Sequence, residues 1–262
     1  MRALRIAATG MAAQQLNVEV ISNNIANMNT VGYKAQRAEF EDLLYDNVQR
    51  PGAQSSDTGT VVPTGVQLGS GVKTGSVYRI MTQGAMTQTG NKLDVAINGR
   101  GYLQVLMPSG ETAYTRAGNL SVNDQGQVVT SEGYQVIPQM TIPQTATDVS
   151  ISSSGQVQAT LPGQVNPQQV GQMQLVSFYN EAGLEAIGDN LFLQSGSSGA
   201  PVTGTPNSTG FGALQQGYTE ASNVDPVTEI SALIVAQRAY EMNSKVVTSA
   251  DQMLQTTSQM KS

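Results

Sequence analysis

Two long stretches at the ends of the chain repeat apolar residues in steps of three and four, and the residues between them do not. Leu4, Ala7, Met11, Gln14, Val18, Ile21, Ile25 and Met28 follow this spacing, and all but Gln14 are apolar. At the other end Leu233, Ala236, Tyr240, Asn243, Val247, Ala250 and Leu254 do the same, with only Asn243 polar. Steps of three and four keep side chains on one face of an α-helix, so each end predicts a helix with one narrow apolar stripe. A seam of that width calls for another helix, and these are the only long helical patterns in the chain. An interior without helices, closed by two terminal ones, points to a subunit that assembles through its ends.

The first helix is predicted to end between Asn27 and Gly32, because Asn tolerates and Gly favours the left-handed backbone at helix C-termini. Residues 33–45 read either as a short helix or as an extended arm. From Asp46 to Gly71 the composition shifts: Pro51, Gly52, Ser55, Ser56, Gly59, Pro63, Gly65, Gly69 and Gly71 exclude a regular core element. This stretch is either a flexible loop or an extended hairpin ordered against a neighbour, and long irregular stretches of this kind are often functional. From Val72 to Val202 the pattern is β. Asp94–Ile97 and Tyr102–Val105 flank Asn98-Gly99, a pair that favours a tight hairpin. Leu120–Val122 and Val128–Thr130 flank the turn Asn123-Asp124-Gln125-Gly126. Further short runs lie at Gln135–Ile137, Val149–Ile151, Gln172–Phe178 and Asn190–Leu193. The recurrence of turn residues reads as an antiparallel barrel or sandwich. A Gly/Ser/Pro-rich stretch, Ser195–Gly212, leads out. Asp225 is the expected N-cap of the last helix, with Pro226 at its first position, Glu229 in its first turn and its end near Gln259.

The expected class is therefore α+β. Long N- and C-terminal helices pair as a coiled coil, joined by an extended arm to an inserted antiparallel β barrel or sandwich. Residues 1–30 and 225–262 form the discontinuous helical domain, 31–71 and 203–224 the arm, and 72–202 the β-rich outer domain.

Net charge is -6, and no Lys or Arg occurs between Arg116 and Arg238, which argues against nucleic acid or an anionic membrane as partner. No window approaches the roughly 18 apolar residues of a membrane span, so no membrane insertion is expected. Arg2 and Arg5 are followed by polar Thr9, Gln14, Gln15 and Asn17, not by the apolar run of a signal peptide. Cysteine, histidine and tryptophan are absent. That removes disulfides, thiolate nucleophiles, the usual zinc ligands and the commonest general base at neutral pH. No catalytic residue, metal site or cofactor is expected. Gly69-Ser70-Gly71-Val72-Lys73-Thr74 lacks the adjacent Gly-Lys of a phosphate-binding loop. Glu41, Asp42 and Asp46 read as a solvated charged face, and Asn123–Gly126 is too short for a calcium loop.

Ser22-Asn23-Asn24-Ile25-Ala26-Asn27-Met28-Asn29-Thr30-Val31-Gly32-Tyr33-Lys34 resembles the N-terminal signature of bacterial flagellar rod and hook proteins. Ala236-Gln237-Arg238-Ala239-Tyr240-Glu241-Met242-Asn243-Ser244-Lys245, followed by Ala250-Asp251-Gln252-Met253-Leu254, resembles their C-terminal signature. Asp94–Gly101 and Tyr114-Thr115-Arg116-Ala117-Gly118 are similar to internal segments of the family. Phe40–Tyr45 followed by Pro51-Gly52-Ala53-Gln54-Ser55-Ser56 is similar to its distal-rod branch. Leu120 departs from the pattern, which more often has Phe there, but an apolar residue is kept. The stretch Gly163–Gly171 matches nothing diagnostic.

The resemblance covers nearly the whole chain and implies a structural subunit with no chemical turnover. Terminal helices of that family form a coiled-coil inner layer around an export channel, with the β domain outside. The implied product is a helical homopolymer, a rigid hollow drive shaft that carries torque and lets exported subunits pass. Implied partners are further copies of the chain, the proximal rod protein FlgF, the hook protein FlgE, the P-ring and L-ring proteins and the flagellar type III export apparatus. The implied place is the basal body in the periplasm, reached without a cleaved signal peptide. On this reading Leu4, Met11, Val18, Ile21, Ile25, Met28, Leu233, Tyr240, Val247 and Leu254 form the assembly seam. Asn23, Asn24, Asn27, Thr30, Gly32, Tyr33, Lys34, Gln237, Arg238 and Asn243 make inter-subunit contacts, and Pro51, Gly52, Ala53, Gln54, Ser55 and Ser56 stiffen the shaft. The alternatives are a paralogous proximal rod or hook subunit, and an exported β-rich adhesin or binding module with helical ends. With 4 Phe, 9 Tyr and no Trp, an aromatic sugar platform is poorly supplied.

Overall fold

The computed structural model describes residues 2–49, 51, 64–164 and 166–260. The chain forms two compact units, one from Met1–Ile25, Gln36–Tyr78 and Pro226–Ser262, the other from Ala26–Ala35 and Arg79–Asp225. The first unit holds the two helices, α1 (Arg2–Ala26) and α2 (Pro226–Gln259). The second helix has the bounds its sequence signals predict, and the first stops one residue before the predicted exit. No proline marks that stop. Beyond Ala26 the chain turns, and Gly32 takes the left-handed backbone with φ 71°. A Cβ at Gly32 would lie 2.9 Å from the Ala117 nitrogen, so the position demands glycine on both counts.

The helices approach each other closely at two places. Ala7, Ala13, Val20, Ile21 and Asn24 are buried on α1, Ala236 and Ala250 on α2. A Cβ at Gly10 would stand 2.9 Å from Asn243 Nδ2, and Asn24 Nδ2 donates to Glu229 Oε1 at 3.3 Å. Gly10 and Asn24 are 14 residues apart, as are Glu229 and Asn243, so the helices touch in opposite directions at two points with matched spacing. That spacing is about 21 Å along either axis.

The same unit contains two antiparallel ribbons. Gln36–Asp42, within the segment read as a short helix or an arm, is a strand paired with Val72–Arg79. Tyr45–Gln49 pairs with Val66–Gly69 in the register Tyr45↔Gly69 and Gln49↔Val66. Asp46–Gly71 thus opens and closes as a hairpin. The ribbon is tied to α1, where Arg2 Nη2 lies 2.5 Å from Asp46 Oδ2 and the Val72 N–H donates to Thr9 Oγ1.

The second unit is β-rich, but its sheets do not close into the barrel that was one expectation. A seven-stranded antiparallel sheet runs in the order Glu185–Gly188, Leu191–Leu193, Thr112–Thr115, Leu103–Leu106, Gln135–Ile137, Val128–Thr130, Leu120–Val122. Closure needs the two edge strands to meet. Here Glu185–Gly188 stays exposed along its length and, among the described residues, pairs only with Leu191–Leu193. A three-stranded sheet (Asp148–Ile151, Gln156–Thr160, Gln168–Gln172) and three two-stranded ribbons complete the described part of the unit. The turn at Asn123–Gly126 does join adjacent strands, with Val128 opposite Val122.

The Asn98-Gly99 hairpin does not form. Val95–Asn98 pairs instead with Ala213–Gln216, and Leu103–Leu106 pairs with Thr112–Thr115 and Gln135–Ile137. The reason lies in the link between them. Gly99 and Gly101 both hold positive φ, and the carbonyls of Ile97, Gly99 and Gly101 turn toward one guanidinium, that of Arg116. A two-residue turn would leave that cation without them. The main core of the unit includes Ile97, Leu103, Val105, Val136 and Leu175. A second cluster of Tyr102, Tyr114, Val176, Phe178, Leu184 and Phe192 has Tyr114 and Phe178 edge to face, 4.7 Å between ring centres.

Candidate functional site

Three charged side chains from distant parts of the sequence are buried together in the second unit: Lys34, Arg116 and Glu220. Lys34 Nζ lies 2.6 Å from Glu220 Oε1, and Arg116 Nε lies 2.7 Å from Glu220 Oε2. The Gly84 N–H also donates to Glu220 Oε1 at 2.9 Å, and Lys34 Nζ donates to the Thr82 carbonyl at 2.8 Å. Arg116 Nη1 donates to the Gly101 carbonyl, and Nη2 to those of Gly99 and Ile97. Among the described residues no buried side-chain polar atom is left without a partner. Burial is survivable for these charges because each is both paired and hydrogen-bonded.

The electrostatics are lopsided, with two cations and one carboxylate. Burial lowers the pKa of Lys34, the like charge of Arg116 adds to this, and Glu220 opposes both. Burial pushes the Glu220 carboxyl up, but Arg116, Lys34 and the Gly84 N–H together hold it below its ordinary value. Tyr102, whose ring lies under the Arg116 guanidinium, donates from Oη to Glu181 Oε2 at 3.1 Å, and burial raises its pKa. Nothing in this arrangement activates a nucleophile: the carboxylate is saturated by donors and closed off from solvent. What it does is lace segments together. The Gly32 N–H donates to the Glu220 carbonyl at 2.8 Å, and Asn223 accepts from the Ala35 N–H and donates to the Ile80 and Thr82 carbonyls. The segment that follows α1 and the segment that precedes α2 are thereby fastened side by side.

The helical unit presents a different kind of surface. Only one face of α2 is covered; Val227 is 74% exposed, Val235 67% and Met253 64%, with Ile230, Ile234, Met242, Val246 and Leu254 also exposed. A groove of about 480 Å³ between the helices is lined by Gln15, Val18, Glu19, Gln237, Tyr240 and Glu241. Among the described residues no helix is long and apolar enough to cross a membrane.

Residues 4–34 match the family described as "Flagella basal body rod protein", and residues 215–260 match "Flagellar basal body rod FlgEFG protein C-terminal". Residues 96–159 match "Flagellar hook protein FlgE/F/G D1 domain". The chain is 68% identical over 262 residues to the flagellar basal-body rod protein FlgG of Caulobacter vibrioides, covering 100% of both. It is 53% identical over 253 residues to the FlgG of Agrobacterium fabrum, covering 97% of each, and 38% identical over 260 residues to that of Bacillus subtilis, again 97% of each. The chain belongs to the FlgG family of flagellar basal-body rod proteins. It is a structural subunit of the flagellar basal-body rod, not an enzyme, and the adhesin alternative is not favoured.

The FlgG-family motifs are spread over both units. Of the first-helix seam, Ile21 is buried, Leu4, Met11, Val18 and Ile25 are half-buried and Met28 is exposed; of the second, Leu233 and Val247 are half-buried, Tyr240 and Leu254 exposed. Val18 and Tyr240 are brought together on the groove. Asn24 is buried, its amide donating to the Gln36 carbonyl and its Oδ1 accepting from the Gln36 N–H, both at 2.8 Å. Asn23 is exposed, Asn27 accepts from Thr30 Oγ1, and Gly32 is packed against residues 116–117. Tyr33 is at least partly covered at the cavity beside Arg79, while Lys34 is enclosed within its own subunit. Gln237 and Arg238 are exposed and Asn243 faces Gly10. Pro51 sits exposed in a turn; Gly52, Ala53, Gln54, Ser55 and Ser56 lie outside the described residues.

Sequence reasoning did not single out Glu220. A signal existed: Arg116 is the last cation before Arg238 and sits in an apolar neighbourhood, so it needed a carboxylate from somewhere. Nothing local indicated which one.

Proposed function

We propose that this rod subunit polymerises through its terminal helices into a rigid hollow shaft, the distal rod. In it α1 and α2 form a coiled-coil inner layer with neighbouring copies, and the β-rich domain, residues 72–202, packs outside. The observation that carries this reading is the uncovered apolar surface of α2, whose exposed large apolar residues recur from Val227 to Leu254. Apolar residues recurring along a helix gain stability by burial, and a long seam at this spacing packs well against other helices. In the polymer the seam from Leu4 to Leu254 closes against adjacent subunits, and Asn23, Gln237 and Arg238, exposed in the single chain, become contacts. The hairpin that begins at Tyr45 and returns at Gly69 lodges between subunits and stiffens the shaft. Torque passes from the proximal rod protein FlgF to the hook protein FlgE inside the P- and L-ring proteins. The subunit reaches the periplasm through the flagellar type III export apparatus.

The test is far-UV circular dichroism over a wide concentration range, with light scattering on the same samples. Helix content and particle size are expected to rise together. A small particle of fixed size with full helix content at every concentration would overturn the proposal.

A further inference from the structure

Arg79 ends the strand Val72–Arg79 and stands half-buried at a cavity of about 270 Å³ in the β-rich unit. Asn27, Tyr33, Asp189, Asn190 and Phe192 are among the residues around it. The guanidinium carbon lies 5.7 Å from the centre of the Phe192 ring, which holds the cation against an aromatic face. Among the described residues the Arg79 side chain makes no hydrogen bond and no ion pair. The contrast with Arg116 is direct, since all three nitrogens of that side chain donate to carbonyls or a carboxylate. Burial lowers the pKa of Arg79, as it must for a charge partly withdrawn from water with no paired carboxylate.

The surroundings do not supply the missing partner. Lys34 borders the cavity but is committed to Glu220. The Asn190 amide donates to the Val31 carbonyl at 3.0 Å. Asp189 and Asn190 hold left-handed backbone at φ 52° and 56°, and Asp189, though on the rim, makes no ion pair with Arg79. One wall includes Ala186 and Gly188 from the edge strand Glu185–Gly188, whose outer side pairs with no other described strand. The site therefore offers a planar five-donor fork and, beside it, an open strand edge.

We propose that this cavity is a socket for an acidic side chain of a second copy of the chain, received by Arg79 through paired N–H···O bonds. A guanidinium fork matches a carboxylate in shape as well as charge. The inference rests on the rod-subunit reading above, which places copies of the chain side by side. It commits to a second copy because the chain carries 19 acidic against 13 basic residues, so a neighbour's surface is rich in carboxylates. In the same unit Glu111, Asp124 and Glu132 stand exposed on or beside turns and, among the described residues, make no ion pair, so they are available to enter a neighbour's socket.

The experiment measures the critical concentration for assembly of the full chain by light scattering. The variants are Arg79→Glu, Arg79→Gln and Arg79→Lys, with thermal unfolding of each unassembled chain followed in parallel. Arg79→Glu is expected to raise the critical concentration at least tenfold and Arg79→Lys to fall between it and the wild type. The unassembled Arg79→Gln chain should be as stable as the wild type or more so, because it loses an uncompensated charge. Combining Arg79→Glu with Glu111→Arg, Asp124→Arg or Glu132→Arg should restore assembly for the residue that docks. A wild type that assembles, with Arg79→Glu assembling equally well, overturns the socket alone. So does an unassembled Arg79→Gln chain that is markedly destabilised, since Arg79 would then act within its own subunit. A wild type that never assembles overturns the rod-subunit reading and the socket with it.

Discussion

Replacing Glu220 by Gln keeps the shape of the side chain and deletes the only negative charge in the buried cluster. Lys34 and Arg116 would be left as two enclosed cations with no carboxylate between them. The amide also turns a donor toward a donor: one end of Gln can accept from Lys34 and Gly84, and the other then presents N–H to Arg116 Nε. Removing one partner of a buried pair costs about 3–5 kcal/mol. The unit that holds the cluster has roughly 160 residues, for which each kcal/mol shifts Tm by about 2–4 °C. The expected fall in Tm is therefore about 6–20 °C. Lys34→Met provides the internal comparison. It removes the surplus cation, leaves Arg116 and Glu220 as a balanced pair with Gly84 still donating, and should cost under about 2 kcal/mol. Urea unfolding followed by circular dichroism and tyrosine fluorescence gives both numbers. The reasoning fails if Glu220→Gln lies within about 1 kcal/mol of the wild type, or if Lys34→Met is the more damaging change.

The pH dependence has a definite sign. Because the folded pKa of Glu220 lies below its ordinary 4.5, its contribution is present above that value and is lost as pH falls through the folded pKa; the stability difference between wild type and Glu220→Gln should shrink in acid and stay level near neutrality. Gly32→Ala forces a Cβ into the Arg116–Ala117 backbone at φ 71°, and thermal melts should show a loss of about 1–3 kcal/mol or more. Gly10→Leu pits helix propensity, which favours Leu by roughly 0.8 kcal/mol, against overpacking on Asn243 at about 1–3 kcal/mol, so a net loss of helical stability is expected and a gain would show that the helices do not need this close approach. Deleting Arg50–Gly65 should leave a polymer that bends more, measured as persistence length in electron micrographs; an equally straight polymer would remove the stiffening role from that hairpin.

The parts of the fold that were legible in the sequence are those specified by neighbours along the chain. Pro226 opens the second helix, and the three-and-four spacing gives the extent of both helices to within about two residues, because these signals act over one or two turns of backbone. The turn at Asn123–Gly126 was legible for the same reason, its Asn123 Oδ1 accepting from the Gln125 and Gln127 N–H groups. Asn98-Gly99 carried an equally good local signal and misled, since Arg116 competes for the carbonyls around it from 17 residues away. Glu220 was out of reach altogether: its partner Lys34 is 186 residues distant, and no spacing rule spans that gap. The open form of the seven-stranded sheet was equally invisible, because strand edges are decided by which segments arrive beside them.

The buried cluster also has a chronology. Lys34 is made first, Arg116 next and Glu220 last. Until the final member exists, bringing the other two together would enclose like charges in a poorly polarisable interior, which is unfavourable at any reasonable distance. A growing chain therefore gains nothing electrostatically by bringing these two cations together before Glu220 exists, and by then all but the second helix and the few residues before it has been synthesised.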